Sequence, residues 1–135
     1  MTETVMLYHG TSALNAVRLL ACGWAPGQVP SGSQCGDPAR LYLTTLPEDA
    51  AWFAARKEDG MVLELQVPRH LLRVDPEDRA GDTVEEEFAI SARTGLPAKF
   101  TIAHPIGPEA FAVHLPYEAE VEIVDPEDGP EGPSI

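Results

Sequence analysis

Apolar and polar positions at the start of the chain predict a strand followed by a helix. Residues 5–9 alternate with the period of a β-strand, and His9 falls on the same face as the apolar positions 5 and 7. Ser12 is a residue type that caps helices and Gly23 is one that ends them, so we expect a helix over 13–22. The apolar positions of this helix form one stripe: Leu14, Val17 and Ala21. His9 therefore lies where the predicted strand turns into the predicted helix.

The next part of the chain predicts a strand, a helix and a second strand. The segment LYLTT at 41–45 reads as a short strand, and Thr45 with Glu48 has the spacing of a capping box at the start of a helix over 46–57. The segment MVLELQV at 61–67 alternates leucine and valine with glutamate and glutamine. This alternation is typical of a half-buried strand.

A further helix and three strands are predicted in the second half. Thr83 and Glu86 form another capping-box pattern, and Gly95 is a suitable helix end, so 83–95 is predicted as a helix, with a strand as the alternative. Three strands with proline-rich corners are expected beyond it, at 99–106, 109–115 and 119–124.

Two segments depart from this regular pattern. Residues 24–39 are rich in Gly, Pro and Ser, which predicts a long loop of the kind that often carries function. Residues 125–135 are polar and acidic, which predicts a disordered tail. With 135 residues, 44% of them hydrophobic, the chain has the size of one domain, and we place an α+β domain at 1–124.

Charge and composition restrict the classes of partner. There are 9 Lys and Arg residues against 22 Asp and Glu residues, a net charge of −13, so nucleic acid is not an expected partner. No apolar run approaches the roughly 18 residues of a membrane span, and the N-terminus lacks a signal-peptide pattern, which favours a cytoplasmic protein without membrane contact. Cys22 and Cys35 have no metal-binding spacing, so we expect reduced thiols and no metal.

Four segments of the first half resemble the core of a known superfamily. They are LYHGTSALNAVRLLACG, the glycine-rich loop, LYLTTLPEDAAWFAA and GMVLELQVP, which together cover about residues 5–68. In this order they resemble the ADP-ribosyltransferase superfamily, and more closely its His-Tyr-acid branch, which includes the poly(ADP-ribose) polymerases and the bacterial rifamycin ADP-ribosyltransferases. The resemblance implies a single α+β domain of two small packed β-sheets flanked by short helices.

The resemblance also implies NAD as co-substrate and assigns roles around it. His9 would bond the ribose next to the nicotinamide, and the backbone of Gly10 would hold the carboxamide. Tyr42 would stack on the nicotinamide ring, with Phe53 as a second aromatic wall and Thr11 lining the turn. Transfer passes through an oxocarbenium-like transition state, so an acidic residue is expected close to the sugar.

The acidic residue has two candidates. Glu87 opens the string Glu-Phe-Ala-Ile, which is typical of the polymerase-like members, although the same glutamate can belong to the solvated first turn of a helix. Asp75 follows the strand at 61–67 and precedes a proline, as in the rifamycin-type members, but VDPED occurs twice in the chain and can simply form a turn. Lys99 stands at the start of the late strand where an acid is expected.

The sequence therefore leaves three functions open. The first is a small mono-ADP-ribosyltransferase that uses NAD, releases nicotinamide and modifies a small molecule or a protein. The second is an enzyme similar to RNA 2′-phosphotransferases, which also use NAD but need basic residues that LYLTT lacks. The third is a non-catalytic member of the fold that binds a nucleotide or a protein partner.

Overall fold

The computed structural model describes residues 3–27 and 39–114. Most of the loop expected at 24–39, the strand expected at 119–124 and the acidic tail at 125–135 lie outside the described residues. The elements, in chain order, are β1 (Thr4–Thr11), α1 (Ala13–Cys22), β2 (Leu41–Thr44), α2 (Pro47–Ala54), β3 (Met61–Pro68), β4 (Arg73–Val74), α3 (Val84–Thr94), β5 (Lys99–Ile102) and β6 (Phe111–Val113). Short 3₁₀ turns lie at Arg69–Leu71 and Pro108–Ala110.

All six strands of the described part belong to one antiparallel sheet, in the order β4-β5-β2-β1-β3-β6. The α+β class is confirmed, but the expectation of two separate packed sheets is wrong for these residues. The sheet nevertheless has a weak seam. Strand β1 pairs with β3 along its whole length, whereas it pairs with β2 only at Tyr8 and Thr44. The half β4-β5-β2 is therefore joined to the half β1-β3-β6 at a single register position.

The two faces of the sheet are covered differently. The main core lies on the face that carries Leu7 of β1 and Leu63 of β3, and α1 packs there. The helix α1 buries Asn15, Ala16 and Leu19. The apolar stripe of Leu14, Val17 and Ala21 is exposed, so it is not the face of α1 that packs against the sheet. The helix α2 packs on the opposite face through a smaller apolar cluster: Ala50, Ala54 and Val62.

The local signals for two helices are confirmed. The N–H of Asn15 donates to the Ser12 hydroxyl at 3.2 Å, which caps α1. Thr83 and Glu86 form the predicted capping box of α3, and Gly95 ends this helix with a left-handed φ of 78°. Residues 84–94 are therefore helical, and the alternative of a strand there is wrong.

Within the described ranges, no helix has the length and apolar character needed to cross a bilayer.

The predicted capping box of α2 is wrong. This helix begins at Pro47 after Leu46, without a side-chain cap, and ends at Ala54, three residues before the predicted end at 57. The Thr45 hydroxyl accepts a hydrogen bond from the N–H of Ala98 at 2.9 Å instead. A hydrogen bond between residues 53 positions apart thus uses the hydroxyl that the local sequence pattern assigned to the cap of α2.

Candidate active site

His9 lies at the seam of the sheet, next to the one position where β1 pairs with β2. Its Nδ1 is 2.9 Å from the backbone oxygen of Tyr42. A carbonyl oxygen can only accept, so Nδ1 carries the hydrogen and the neutral ring presents Nε2 as a hydrogen-bond acceptor. Burial lowers the pKa of His9, an effect that the hydrogen bond to Tyr42 opposes and the charge of Lys57 reinforces. The imidazole is therefore neutral at pH 7.

Tyr42 is joined to His9 through its backbone, while its ring belongs to the other face of the sheet. Side chains alternate along a strand, and the pairing of Tyr8 with Thr44 places the Tyr42 ring in the row of those two residues, on the side of α2. His9 occupies the row of Leu63, on the core side. The imidazole thus reaches the Tyr42 backbone through the seam, and the two side chains lie on opposite faces of the sheet rather than facing one cleft, as the resemblance had led us to expect.

Gly10 is the point at which α2 lies directly on β1. A Cβ added to Gly10 would lie 2.0 Å from the backbone oxygen of Ala50 and 3.0 Å from the backbone nitrogen of Ala54. The glycine is therefore required for the close approach of the helix, a reason separate from the expected contact with a carboxamide. This packing fixes the position of α2 and of the aromatic side chains near its end.

Phe53 lies near the end of α2 and is 43% exposed, which leaves its ring open to a stacking partner. Its ring centroid is 5.0 Å from that of Trp52 in an edge-to-face arrangement. Thr11, in contrast, is buried, and its hydroxyl accepts a hydrogen bond from Asn15 Nδ2 at 2.8 Å. Thr11 thus joins β1 to α1.

Asp75 forms a turn at the far edge of the sheet. It follows β4, is buried, and accepts a hydrogen bond from the N–H of Glu77 at 3.0 Å through its Oδ1. Two strands, β5 and β2, separate β4 from β1, which corresponds to about 14 Å at ordinary strand spacing. The structure therefore does not bring Asp75 and His9 together on neighbouring strands.

Glu87 holds a loop against α3. It lies in the first turn of that helix and is 3% exposed. Its Oε2 accepts hydrogen bonds from the N–H groups of Ala80 at 2.6 Å and Gly81 at 2.5 Å. A carboxylate used in this way compensates backbone donors that would otherwise be buried without a partner. Glu87 is neither in a strand nor in a solvated helical turn.

A partly buried ion-pair cluster that the sequence analysis missed lies where α2 meets β5. Lys99 opens β5 opposite Thr44, and its Nζ is 3.3 Å from Asp49 Oδ2 and 2.8 Å from Asp78 Oδ2. The same Nζ lies 5.4 Å from the centroid of the Phe53 ring. Burial alone would lower the pKa of Lys99, but the two carboxylates outweigh it, so the pKa lies above its ordinary value. The spacing of Asp49 and Phe53, four positions apart on one helix, was the available sequence signal.

Two surface grooves lie at the other end of the sheet. They have volumes of about 450 and 700 Å³ and share the lining residues Leu72, Val84 and Glu85. Neither lining contains a site residue predicted from the sequence. These grooves therefore add nothing to the arrangement around His9.

Within residues 3–27 and 39–114, no group of three or more His, Cys, Asp and Glu side chains is arranged to hold a metal ion. Comparison of the chain with family models, curated proteins and solved structures found no match. The function of the chain is therefore inferred from the geometry of the described residues and from the sequence motifs around His9, Tyr42 and Phe53.

Proposed function

We propose that this chain is a small NAD-dependent mono-ADP-ribosyltransferase that modifies a small molecule or a protein. The observation that carries the proposal is the hydrogen bond from His9 Nδ1 to the Tyr42 carbonyl at the seam of the sheet. This bond fixes the neutral ring with Nε2 as a hydrogen-bond acceptor, which is the state that can receive a ribose hydroxyl. The sequence motifs around His9, Tyr42 and Phe53 resemble those of the ADP-ribosyltransferase superfamily, and this resemblance is the reason for proposing NAD as the substrate.

The residues present are compatible with NAD as a substrate. Phe53 offers an exposed aromatic face for the nicotinamide ring, and Gly10 brings α2 close to β1 so that this face lies near the seam. His9 lies on the opposite face of the sheet from α2, so it would hold the ribose hydroxyl through Nε2 across the seam between β1 and β2. NAD, when bound, would supply the ADP-ribosyl group and nicotinamide as the leaving group.

The proposed reaction balances without a further reagent. The bond between ribose C1′ and the nicotinamide nitrogen breaks, and its electron pair leaves with nicotinamide. A nucleophilic atom of the substrate to be modified forms the new bond to C1′ and releases its proton to solvent. The net charge of −13 disfavours nucleic acid as that substrate, because phosphate groups would be repelled.

The experiment is to measure NAD binding by calorimetry and nicotinamide release by chromatography for the purified full chain, alone and with a cell lysate. The parent is expected to bind NAD and to release nicotinamide, and His9→Ala is expected to weaken both. His104→Ala is the matched control, since His104 is exposed and lies after β5. Equal binding and release in the parent and in His9→Ala would refute the role of His9.

A second candidate function is a non-catalytic nucleotide-binding member of the same fold. The observation that favours it is that both predicted acids, Asp75 and Glu87, accept hydrogen bonds from backbone N–H groups, while Lys99 occupies the start of β5. The same experiment separates the two functions. NAD binding without nicotinamide release under any condition tested would favour the binding protein.

A further inference from the structure

The proposed transfer needs a negative group near the sugar, and neither predicted acid is placed to supply it. Asp75 lies at the β4 edge of the sheet, and Glu87 is held by the N–H groups of Ala80 and Gly81. The cluster around Lys99, in contrast, lies on the side of the sheet on which α2 packs, within reach of the Phe53 ring. The carboxylates of this cluster are therefore the candidates for the negative group that the transfer needs near the sugar.

The charges of the cluster do not cancel. It contains the carboxylates of Asp49 and Asp78 and one ammonium group, that of Lys99, so it carries a net charge of −1. The shorter ion pair is the one between Lys99 and Asp78, at 2.8 Å against 3.3 Å for Asp49. Lys99 pairs with both carboxylates, so its single charge cannot neutralise the two together.

Asp49 and Asp78 also differ in their exposure to solvent. Its side chain is 20% exposed, whereas that of Asp78 is 64% exposed and faces solvent. The Oδ2 atom of Asp49 is buried and has no hydrogen-bond partner of good geometry among the described residues. Lys99 offsets the charge of this oxygen at 3.3 Å, and in a partly buried position the carboxylate acts on nearby positive charge with less screening than Asp78 does.

The helix directs Asp49 and Phe53 to the same side of α2, because residues four positions apart are neighbours on a helical surface. Lys99 confirms this arrangement, since its Nζ contacts Asp49 and also lies over the Phe53 ring. A nicotinamide ring stacked on Phe53 would therefore place the adjoining ribose close to a carboxylate supplied by α2 rather than by β5.

We propose that Asp49, oriented by Lys99, is the carboxylate that stabilises positive charge on the ribose while the bond to nicotinamide breaks. This proposal rests on the proposed transferase function. Asp49 neither takes nor gives a proton in the step. It would oppose the developing positive charge electrostatically.

The test compares two isosteric variants of the full chain, Asp49→Asn and Asp78→Asn. Each removes one carboxylate charge from Lys99, so a merely structural role in the cluster predicts similar effects. We expect nicotinamide release by Asp49→Asn to fall about 10²-fold or more while the Kd for NAD changes less than about 3-fold. Asp78→Asn is expected to keep release within about 3-fold of the parent. Asp49→Glu, which keeps the charge, should retain more activity than Asp49→Asn even if both lower the melting temperature.

The outcomes distinguish this inference from the proposed function. A parent that releases nicotinamide, together with an Asp49→Asn variant that is equally active, would overturn the role of Asp49 and leave the transferase function standing. Equal losses in Asp49→Asn and Asp78→Asn would likewise assign the cluster to structure. A parent that binds no NAD, or binds it without releasing nicotinamide, would overturn the transferase function and this inference with it.

Discussion

Replacing Gly10 with alanine tests how the packing of α2 supports the site. The new Cβ would lie 2.0 Å from the Ala50 oxygen, whereas ordinary contacts between nonbonded heavy atoms are about 3.5 Å, so α2 would have to move by more than about 1 Å. Overpacking of this kind costs about 1–3 kcal/mol, and the upper end applies because the obstacle is backbone. Alanine also lowers the conformational entropy of the unfolded chain, which by itself raises the free energy of unfolding by about 0.5 kcal/mol. We expect a net loss of about 2–3 kcal/mol in the free energy of unfolding.

The measurement is urea denaturation followed by far-UV circular dichroism, and the control is Gly107→Ala. At Gly107 the backbone φ is −71°, which alanine adopts freely, and the new Cβ would meet the carboxylate of the flexible, exposed Glu109 at 2.6 Å. We expect this control to stay within about 0.5 kcal/mol of the parent. Because Gly10→Ala displaces α2, it should also weaken NAD binding. Equal stabilities of the two variants would refute the argument from helix packing.

The remaining predictions concern His9, Phe53 and Glu87. The pKa of His9 is below its ordinary value of 6.5 in the folded chain, so protonation favours unfolding and the parent loses stability as the pH falls below about 6.5. The urea midpoint of His9→Gln should therefore fall less between pH 7.5 and pH 5.5 than that of the parent, whereas His104→Gln should show the same fall as the parent. Identical pH dependence in all three chains would contradict the assignment of this effect to His9. Phe53→Ala should weaken NAD binding by about 1–3 kcal/mol in calorimetry and Trp52→Ala by less, and the opposite order would exclude stacking on Phe53. Glu87→Gln should lower the free energy of unfolding by about 1–2 kcal/mol without changing nicotinamide release per folded molecule, and loss of release alone would restore Glu87 as the catalytic acid.

The elements that the sequence determined are those fixed by neighbours along the chain. Ser12 caps α1 and the Thr83–Glu86 box starts α3, because each cap joins groups only three positions apart. The alternation of leucine and glutamate in β3 likewise specifies a strand whose face with Leu63, Leu65 and Val67 is buried. His9 could be placed at the strand-to-helix turn for the same local reason.

The tertiary structure decided the features that depend on contacts between distant segments. The Thr45 hydroxyl, which was predicted to cap α2, accepts a hydrogen bond from the N–H of Ala98 instead. The Asp49–Lys99 pair joins residues fifty positions apart. The seam at Tyr8 and Thr44, through which His9 reaches Tyr42, depends on the register of two strands separated by a long connection. Such contacts are selected by the burial and hydrogen bonding of the whole sheet, and no local pattern in the sequence records which distant group will be the partner.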